Sequence, residues 1–389
     1  MLIKPTMKNQ KKASQPNGIL ILFHCKENTG YAISSLEHAF IEAAKRSVGN
    51  NIHISFSEIS PHKRKNKIYA GYPVIEFNPR SYSIKQVKYV SNYISKNNID
   101  TVLGFDQPPG KPYYKHFRNA GIKRIISYWG APMSSINHGL KLFIKKIEMK
   151  FRRYSPDLYI FESEAMRETA IKGRGISANK TRVIYLGVDS TKFSPKEGLE
   201  QYPHDIFNIP TDRKIIFYSG HFEERKGIAV LIKAAIAMKD IHKRNDFHFL
   251  LMGNKAGEES RYLSLLEDKA AKNHVTFGGY RNDLHKIHQG CKIGCIASTG
   301  WDSFTMSALE MASSGLPLLV SDLQGLRETV TDGETGFLFK AGDHLDLSSK
   351  ISSLLDDEPL RIKLSKRSRQ RILDGFTIEK QIHELAKLI

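Results

Sequence analysis

Cysteine is nearly missing: Cys25, Cys291 and Cys295 are the whole set. An odd, sparse count excludes a disulfide framework and points to a reducing compartment. Cys291 and Cys295 are spaced C-x3-C, but no second Cys or His pair follows nearby, so the spacing does not make a zinc site. Two thiols on or near a helix is the plainer reading. Long apolar runs are missing as well. The longest are "ILILF" (19–23), "VLGF" (102–105), "HFLLMG" (248–253) and "LPLLVS" (316–321). None approaches the roughly 20 residues that span a bilayer. The basic opening run "MLIKPTMKNQKKASQPNG" leads into a strand-length apolar piece without a small-residue cleavage site, and does not read as a signal peptide. No short-period repeat or low-complexity tract interrupts the chain.

Acid is scarce in one half only. Residues 1–200 hold 33 Lys and Arg against 15 Asp and Glu, whereas 201–389 hold 26 against 25, so nearly all of the net +19 sits in the first half. Charge segregated in this way suggests a partner of opposite sign for that half: anionic lipid, a phosphorylated acceptor or nucleic acid. Simple solubility is the other reading. A zinc finger, an aromatic RNA-binding signature and a helix-turn-helix are all lacking, which argues against nucleic acid.

What is present fits a soluble globular protein of two domains: 389 residues, 40% apolar and 25% charged. Short β-rich runs alternate with helix-like segments. "GILILFHC", "NIHISFSEI", "DTVLGF", "KRIISYW", "PDLYIFES" and "TRVIYLG" read as strands of the first half. "GYAISSLEHAFIEAAKR", with Ile33, Leu36, Ala39, Phe40 and Ala43 at helical spacing, and "SIKQVKYVSNYISKNN" read as helices. The rhythm restarts with "RKIIFYSG", "GIAVLIKAAIAMKD", "FHFLLMG", "ESRYLSLLEDKAAKN", "HVTFGG", "RNDLHKIHQG", "KIGCIAS" and "LPLLVSD". The order predicts an α/β chain of two doubly wound domains, 1–200 and 201–389, facing across a cleft. The joint falls in the Pro-, Gly- and polar-rich run 189–213. The last helix, about 375–389, is expected to pack back on the first domain.

The stretch "WDSFTMSALE" (301–310) sets one acid before a helix and another inside it. A helix is expected from about Phe304 to Ser313 or Ser314, closed by Gly315 and Pro317. Its first amides, Ser303 to Met306, would hold phosphate oxygens, with small Ser303 and Thr305 allowing close approach. Glu310, two turns in, would accept from vicinal ribose hydroxyls. Asp302 would face hydroxyls beyond the phosphates. The other reading keeps Asp302 or Ser303 as a plain N-cap and Glu310 as a partner of some basic side chain. "YSGHFEERKGIAVLIKAA" (218–235) has the form strand, Gly220-containing loop, helix. Arg225 and Lys226 would stabilise a diphosphate and its departure, or belong to an ordinary solvated charge cluster.

Taken in order, "YLGVDSTKFSP" (185–195), "SGHFEERKG" and "DSFTMSALEMASSGLPLLVSDLQGLRETVTDGETGFLF" (302–339) resemble the retaining glycosyltransferases of the GT-B fold, in particular the large fourth family, the glycosyl transferases of group 1. The resemblance covers most of 180–340. It implies two Rossmann-like domains, a first for the acceptor and a second for the donor. By position, Lys226 would bind the donor diphosphate, Glu310 the ribose, the backbone at Phe304 and Thr305 the phosphates, and Asp302 the sugar. Gly30, in "ENTGYA", would match the N-terminal glycine loop. Lys226, Asp302 and Arg225 would be catalytic; Gly220, His221, Ser303 and Met306 would complete the donor site. Neither metal nor cofactor is implied, and no protein nucleophile is assigned.

Three positions depart from the family pattern. Asp302 stands where Glu is usual. His221 stands where Arg is usual, with Arg225 near enough to supply the charge. "YWGAPMSS" (128–135) stands where many relatives carry a His; His138 reads as structural. The implied activity is transfer of a sugar from a nucleotide diphosphate sugar to an acceptor hydroxyl, in bacterial surface polysaccharide or glycolipid assembly. A non-catalytic nucleotide-sugar or anionic-glycan binder and a nucleotide-sugar epimerase remain open. Segment 138–154 shows Leu140, Phe143, Ile144, Ile147 and Phe151 on one face beside Lys141, Lys145, Lys146, Lys150, Arg152 and Arg153. It suits an anionic membrane surface and a glycan or lipid-linked acceptor, hence a cytoplasmic protein held peripherally on the inner face of the membrane.

Overall fold

The computed structural model describes residues 17–27, 29–59, 69–253, 255 and 257–389. The opening run read for a leader lies, up to residue 16, outside them. Thirteen strands are named among the described residues: β1 Gly18–Leu22, β2 Ile52–Phe56, β3 Val74–Glu76, β4 Ile99–Phe105, β5 Arg124–Trp129, β6 Leu158–Phe161, β7 Thr181–Val183, β8 Lys214–Ser219, β9 Phe247–Met252, β10 Val275–Phe277, β11 Cys291–Ile296, β12 Leu318–Ser321 and β13 Gly336–Phe339. They form a seven-stranded sheet of order β3-β2-β1-β4-β5-β6-β7 and a six-stranded sheet of order β10-β9-β8-β11-β12-β13. Both orders step outward from the first strand and then reverse, the doubly wound arrangement. The run 189–213 holds no strand. By compactness the chain falls into Met1–Tyr128 with Arg152–Tyr159 and Ala386–Ile389, and Trp129–Phe151 with Ile160–Leu385.

In the first unit, β1 pairs in parallel with β2 and with β4, matching Ile21 to Ile54 and to Leu103. All five residues of β1 are buried, as continuous apolar strands in a covered parallel sheet must be. The helix Ile84–Lys96 shows why such segments form. Ser83 Oγ accepts from Gln86 N and Gln86 Oε1 from Ser83 N, a reciprocal cap. Val87, Val90 and Ile94 recur at helical spacing and join Leu20, Leu22, Val102 and Phe117 in one core.

In the second unit, β8 pairs with β9 on one side and β11 on the other, so the reversal lies between β8 and β11. The helix Ile228–Asp240 is apolar nearly all round. It is buried at Ile228, Val230, Leu231, Ile232, Ala234, Ala235, Ala237 and Met238, and packs against the helix His344–Asp356. Arg369 ties the connecting run down: its guanidinium donates to the carbonyls of Ser190, Phe193 and Ser313.

Several local expectations shift. "ESRYLSLLEDKAAKN" is not one helix but a turn of helix, Ser260–Leu263, and two 3-10 pieces, because Glu267 is extended and Asp268 has φ 56°. Cys291 and Cys295 are buried on β11 and not on a helix. No helix among the described residues is long and apolar enough to cross a membrane.

Candidate functional site

Ligands of open α/β sheets bind beyond the strand ends where the order reverses. In the second unit that place is the end of β8 and of β11, and two loops meet there. The first runs from Gly220 to Gly227. Gly227 takes φ 73°, and a Cβ on it would sit inside the Ala297 carbonyl, so only glycine lets this loop lie against the end of β11. Arg225 O accepts from Thr299 N at 2.8 Å, and Arg225 Nη1 donates to Trp301 O at 2.9 Å. The second loop, 297–305, is stitched to the first by these bonds.

Their meeting brings Lys226 to Asp302. Lys226 Nζ donates to both carboxylate oxygens, at 3.0 Å to Oδ1 and 2.8 Å to Oδ2. Ser298 Oγ donates to Oδ2 at 2.6 Å, and Ser303 N–H to Oδ1 at 3.0 Å. Asp302 is 6% exposed and Ser298 fully buried. A carboxylate so far from water needs such partners. Arg225 faces outward: its Nε pairs with Glu223 at 2.8 Å. His221 is exposed, and its carbonyl accepts from the buried Tyr218 hydroxyl at 2.9 Å. At Gly220 a Cβ would meet that same hydroxyl.

The helix after the second loop is Met306–Ser313, two residues later than the sequence suggests. Its N-cap is Thr305, extended at φ −93°, ψ 138°, whose hydroxyl accepts from Ala308 N; Asp302 and Ser303 are not the cap. Ser303 N–H is not open either, since it is spent on Asp302. The amides of Phe304, Thr305, Met306 and Ser307 make no hydrogen bond among the described residues. Such a run of open donors at the positive end of a helix dipole suits an anion. The Phe304 side chain points elsewhere: it is buried against Tyr185, 4.7 Å between ring centroids, and Phe376, 5.0 Å. That stack anchors the turn while leaving its amides open. Glu310 is 3% exposed in mid-helix, and Gly315 follows the helix at φ 86°.

The hydroxyls of Ser163, Ser219 and Ser307, which sequence reasoning passed over, complete the rim. Ser219, the last residue of β8, donates to Ser307 Oγ at 3.2 Å, and Ser163 Oγ lies 3.1 Å from Ser303 Oγ. Their only sequence signal is a polar residue at a strand or helix end. Gly30 is placed in the other unit, as N-cap of the helix Tyr31–Val48 with φ 137°. His138 precedes the helix Gly139–Phe151. No cluster of three His, Cys, Asp or Glu that could hold a metal occurs among the described residues.

Residues 203–371 match the family model described as Glycosyl transferases group 1, and residues 46–192 the model described as Glycosyltransferase Family 4. An N,N'-diacetylbacillosaminyl-diphospho-undecaprenol alpha-1,3-N-acetylgalactosaminyltransferase of Campylobacter jejuni is 31% identical over 233 residues, 59% of this chain and 58% of that protein. A UDP-Gal:alpha-D-GlcNAc-diphosphoundecaprenol alpha-1,3-galactosyltransferase of Escherichia coli is 25% identical over 255 residues, 66% of this chain and 65% of its own. The matched stretch thus spans less than two thirds of these relatives' length. Anabaena Alr3699/HepE, solved in complex with UDP, superposes with TM-score 0.76 over 95% of this chain and 99% of that one, at 16% identity. At that identity the likeness establishes the fold, two Rossmann-like domains of the GT-B type.

Proposed function

Because residues 203–371 match the group 1 glycosyltransferases, we propose that this chain moves a sugar from a nucleotide diphosphate sugar to an acceptor hydroxyl with retained anomeric configuration and without a metal. The observation that carries this reading is one convergence. Four open amides, from Phe304 to Ser307, stand beside the Lys226 ammonium and its Asp302 partner at the point where the sheet order reverses.

In this reading the amides and Lys226 take the diphosphate. They stabilise the negative charge that grows on it as the bond to the sugar breaks. Glu310 takes the ribose, and Asp302 the sugar hydroxyls. Arg225, at the outer edge of the same loop, supplies charge where the family has arginine and this chain has His221. No side chain of the site is placed as a nucleophile. A leaving-group oxygen of the donor takes the proton of the acceptor hydroxyl. Relatives named for UDP-Gal and for diphospho-undecaprenol acceptors support a uridine donor and a lipid-linked acceptor.

The acceptor's carrier is met through the helix Gly139–Phe151. None of its residues is buried, and Leu140, Phe143, Ile144, Ile147 and Phe151 are 73%, 58%, 55%, 41% and 76% exposed. An apolar stripe flanked by Lys141, Lys146 and Lys150 fits the surface of an anionic bilayer.

The test is release of nucleoside diphosphate from a panel of nucleotide sugars, with and without undecaprenyl-diphosphate-linked saccharides. Release that requires the acceptor supports transfer. An isomerised donor formed without acceptor indicates an epimerase. Tight donor binding with neither product indicates a binding protein.

A further inference from the structure

Asp302 has more partners than a sugar-binding carboxylate needs. Its two oxygens already accept from Lys226 Nζ, from Ser298 Oγ and from the Ser303 amide. The three donors differ in freedom. Ser298 is fully buried, two residues past the end of β11, and Ser303 donates through its backbone; neither can leave. Lys226 reaches the carboxylate at the end of a four-carbon stem with its side chain 15% exposed. It is the only movable member of the set.

We propose that Asp302 is an internal counter-anion that holds Lys226 while the donor site is empty, and that Ser298 is the positioning residue that keeps the carboxylate in place when Lys226 passes to the donor's diphosphate. The proposal rests on the donor-site reading above and adds how the site is switched on. An ammonium this far from water would be costly unpaired, so the empty site needs an anion of its own. A diphosphate on the neighbouring open amides brings more negative charge than one carboxylate and draws the ammonium across. Each Asp302 oxygen then keeps one fixed donor, Ser298 on Oδ2 and Ser303 N on Oδ1. Each also regains a lone pair for a sugar hydroxyl. Recognition of the sugar thus follows recognition of the diphosphate.

The exchange gives two single substitutions opposite signs. Asp302→Asn removes the anion that competes for Lys226, so inorganic pyrophosphate should bind about tenfold tighter than to the parent. Ser298→Ala removes a fixed donor and makes the carboxylate cling to Lys226, so pyrophosphate should bind about threefold weaker, with Ser298→Thr restoring the parent value. Loss of structure would move both variants the same way.

Calorimetric titration of the full chain with pyrophosphate, UDP and UDP-glucose, beside melting curves of each variant, reads these changes. Tighter binding to Asp302→Asn with weaker binding to Ser298→Ala supports the exchange. Unchanged or weaker binding to Asp302→Asn overturns it, as does a shift of the same sign in both. If Asp302→Asn does not fold, Ser298→Ala with Ser298→Thr rescue decides alone, and parent-like binding by Ser298→Ala overturns it. Equal affinity of the parent and Lys226→Ala for every one of these anions overturns the donor site itself, a distinct result.

Discussion

The helices Met306–Ser313 and Gly139–Phe151 both carry apolar residues at helical spacing, and their surroundings are opposite. Six of the eight residues in the first are buried, Glu310 and Ser313 among them. The second buries none. It is held through backbone: just before it, Asn137 N donates to Lys172 O at 3.1 Å, and a Cβ on Gly175 would strike the main chain of Lys145. Periodicity tells that a face exists; only the surrounding chain tells whether that face is already covered. The covered helix offers its end, where open amides meet charge. The bare one offers its side, where apolar rings meet lysines.

The sharpest way to break this contrast is to remove the cation at the covered helix's end. Lys226→Ala should lower turnover of donor by about a hundredfold or more, since it deletes charge that acts on the departing diphosphate. Release of nucleoside diphosphate measures it, and parent-like turnover removes Lys226 from the site. Next come the vesicles. Lys145 is engaged with Glu148 at 2.8 Å, so the cations to neutralise are the exposed Lys146, Lys150 and Arg153. Together their loss should weaken binding to phosphatidylglycerol vesicles by about a hundredfold at low salt. Binding that ignores both the substitutions and added salt refutes a charged membrane contact.

Stability should split the same way. Leu309→Ala, at 1% exposure, should cost about 3 kcal/mol in denaturant unfolding. Phe143→Ala, at 58% exposure, should cost less than about 0.5 kcal/mol. Equal losses would mean that the second helix is covered in solution.

Much of this was legible in the chain. Lys226, Asp302 and Glu310 each stood out beside a strand end or inside a helix. The pairing of Lys226 with Asp302 did not, because 76 residues separate them and their loops are joined only through space, by the close passage of Gly227 over Ala297 and the bonds of Arg225 to Thr299 and Trp301. Ser298 was silent, since a serine after a strand is commonplace. The helix start was misplaced because Asp302, Ser303 and Thr305 are all able caps, and the choice among them fell to the Phe304 ring seating between Tyr185 and Phe376. Strand β3 has three residues and strand β13 four, too few for an alternating pattern to declare itself.

The effect of pH is confined to acid conditions. Burial pushes the His288 imidazole down from 6.5 to about 3. Its Nδ1 lies 2.9 Å from Ser314 Oγ, and Ser314 donates its own proton to Glu310 O, so Nδ1 carries the hydrogen and the ring is neutral. Unfolding lets the ring protonate. The stability this neutral ring contributes is therefore complete above pH 6.5 and falls as pH drops towards 3. Melting temperatures from pH 8 down should decline less steeply in His288→Gln than in the parent. Parallel curves would show that His288 carries none of the slope.

The account stands or falls on whether the loops after β8 and β11 hold a diphosphate. Titration of the parent and of Lys226→Ala with UDP, GDP and ADP asks this directly. We expect one nucleoside diphosphate to bind the parent well and Lys226→Ala poorly. No binding to the parent by any of the three, or equal binding to both proteins, would contradict it.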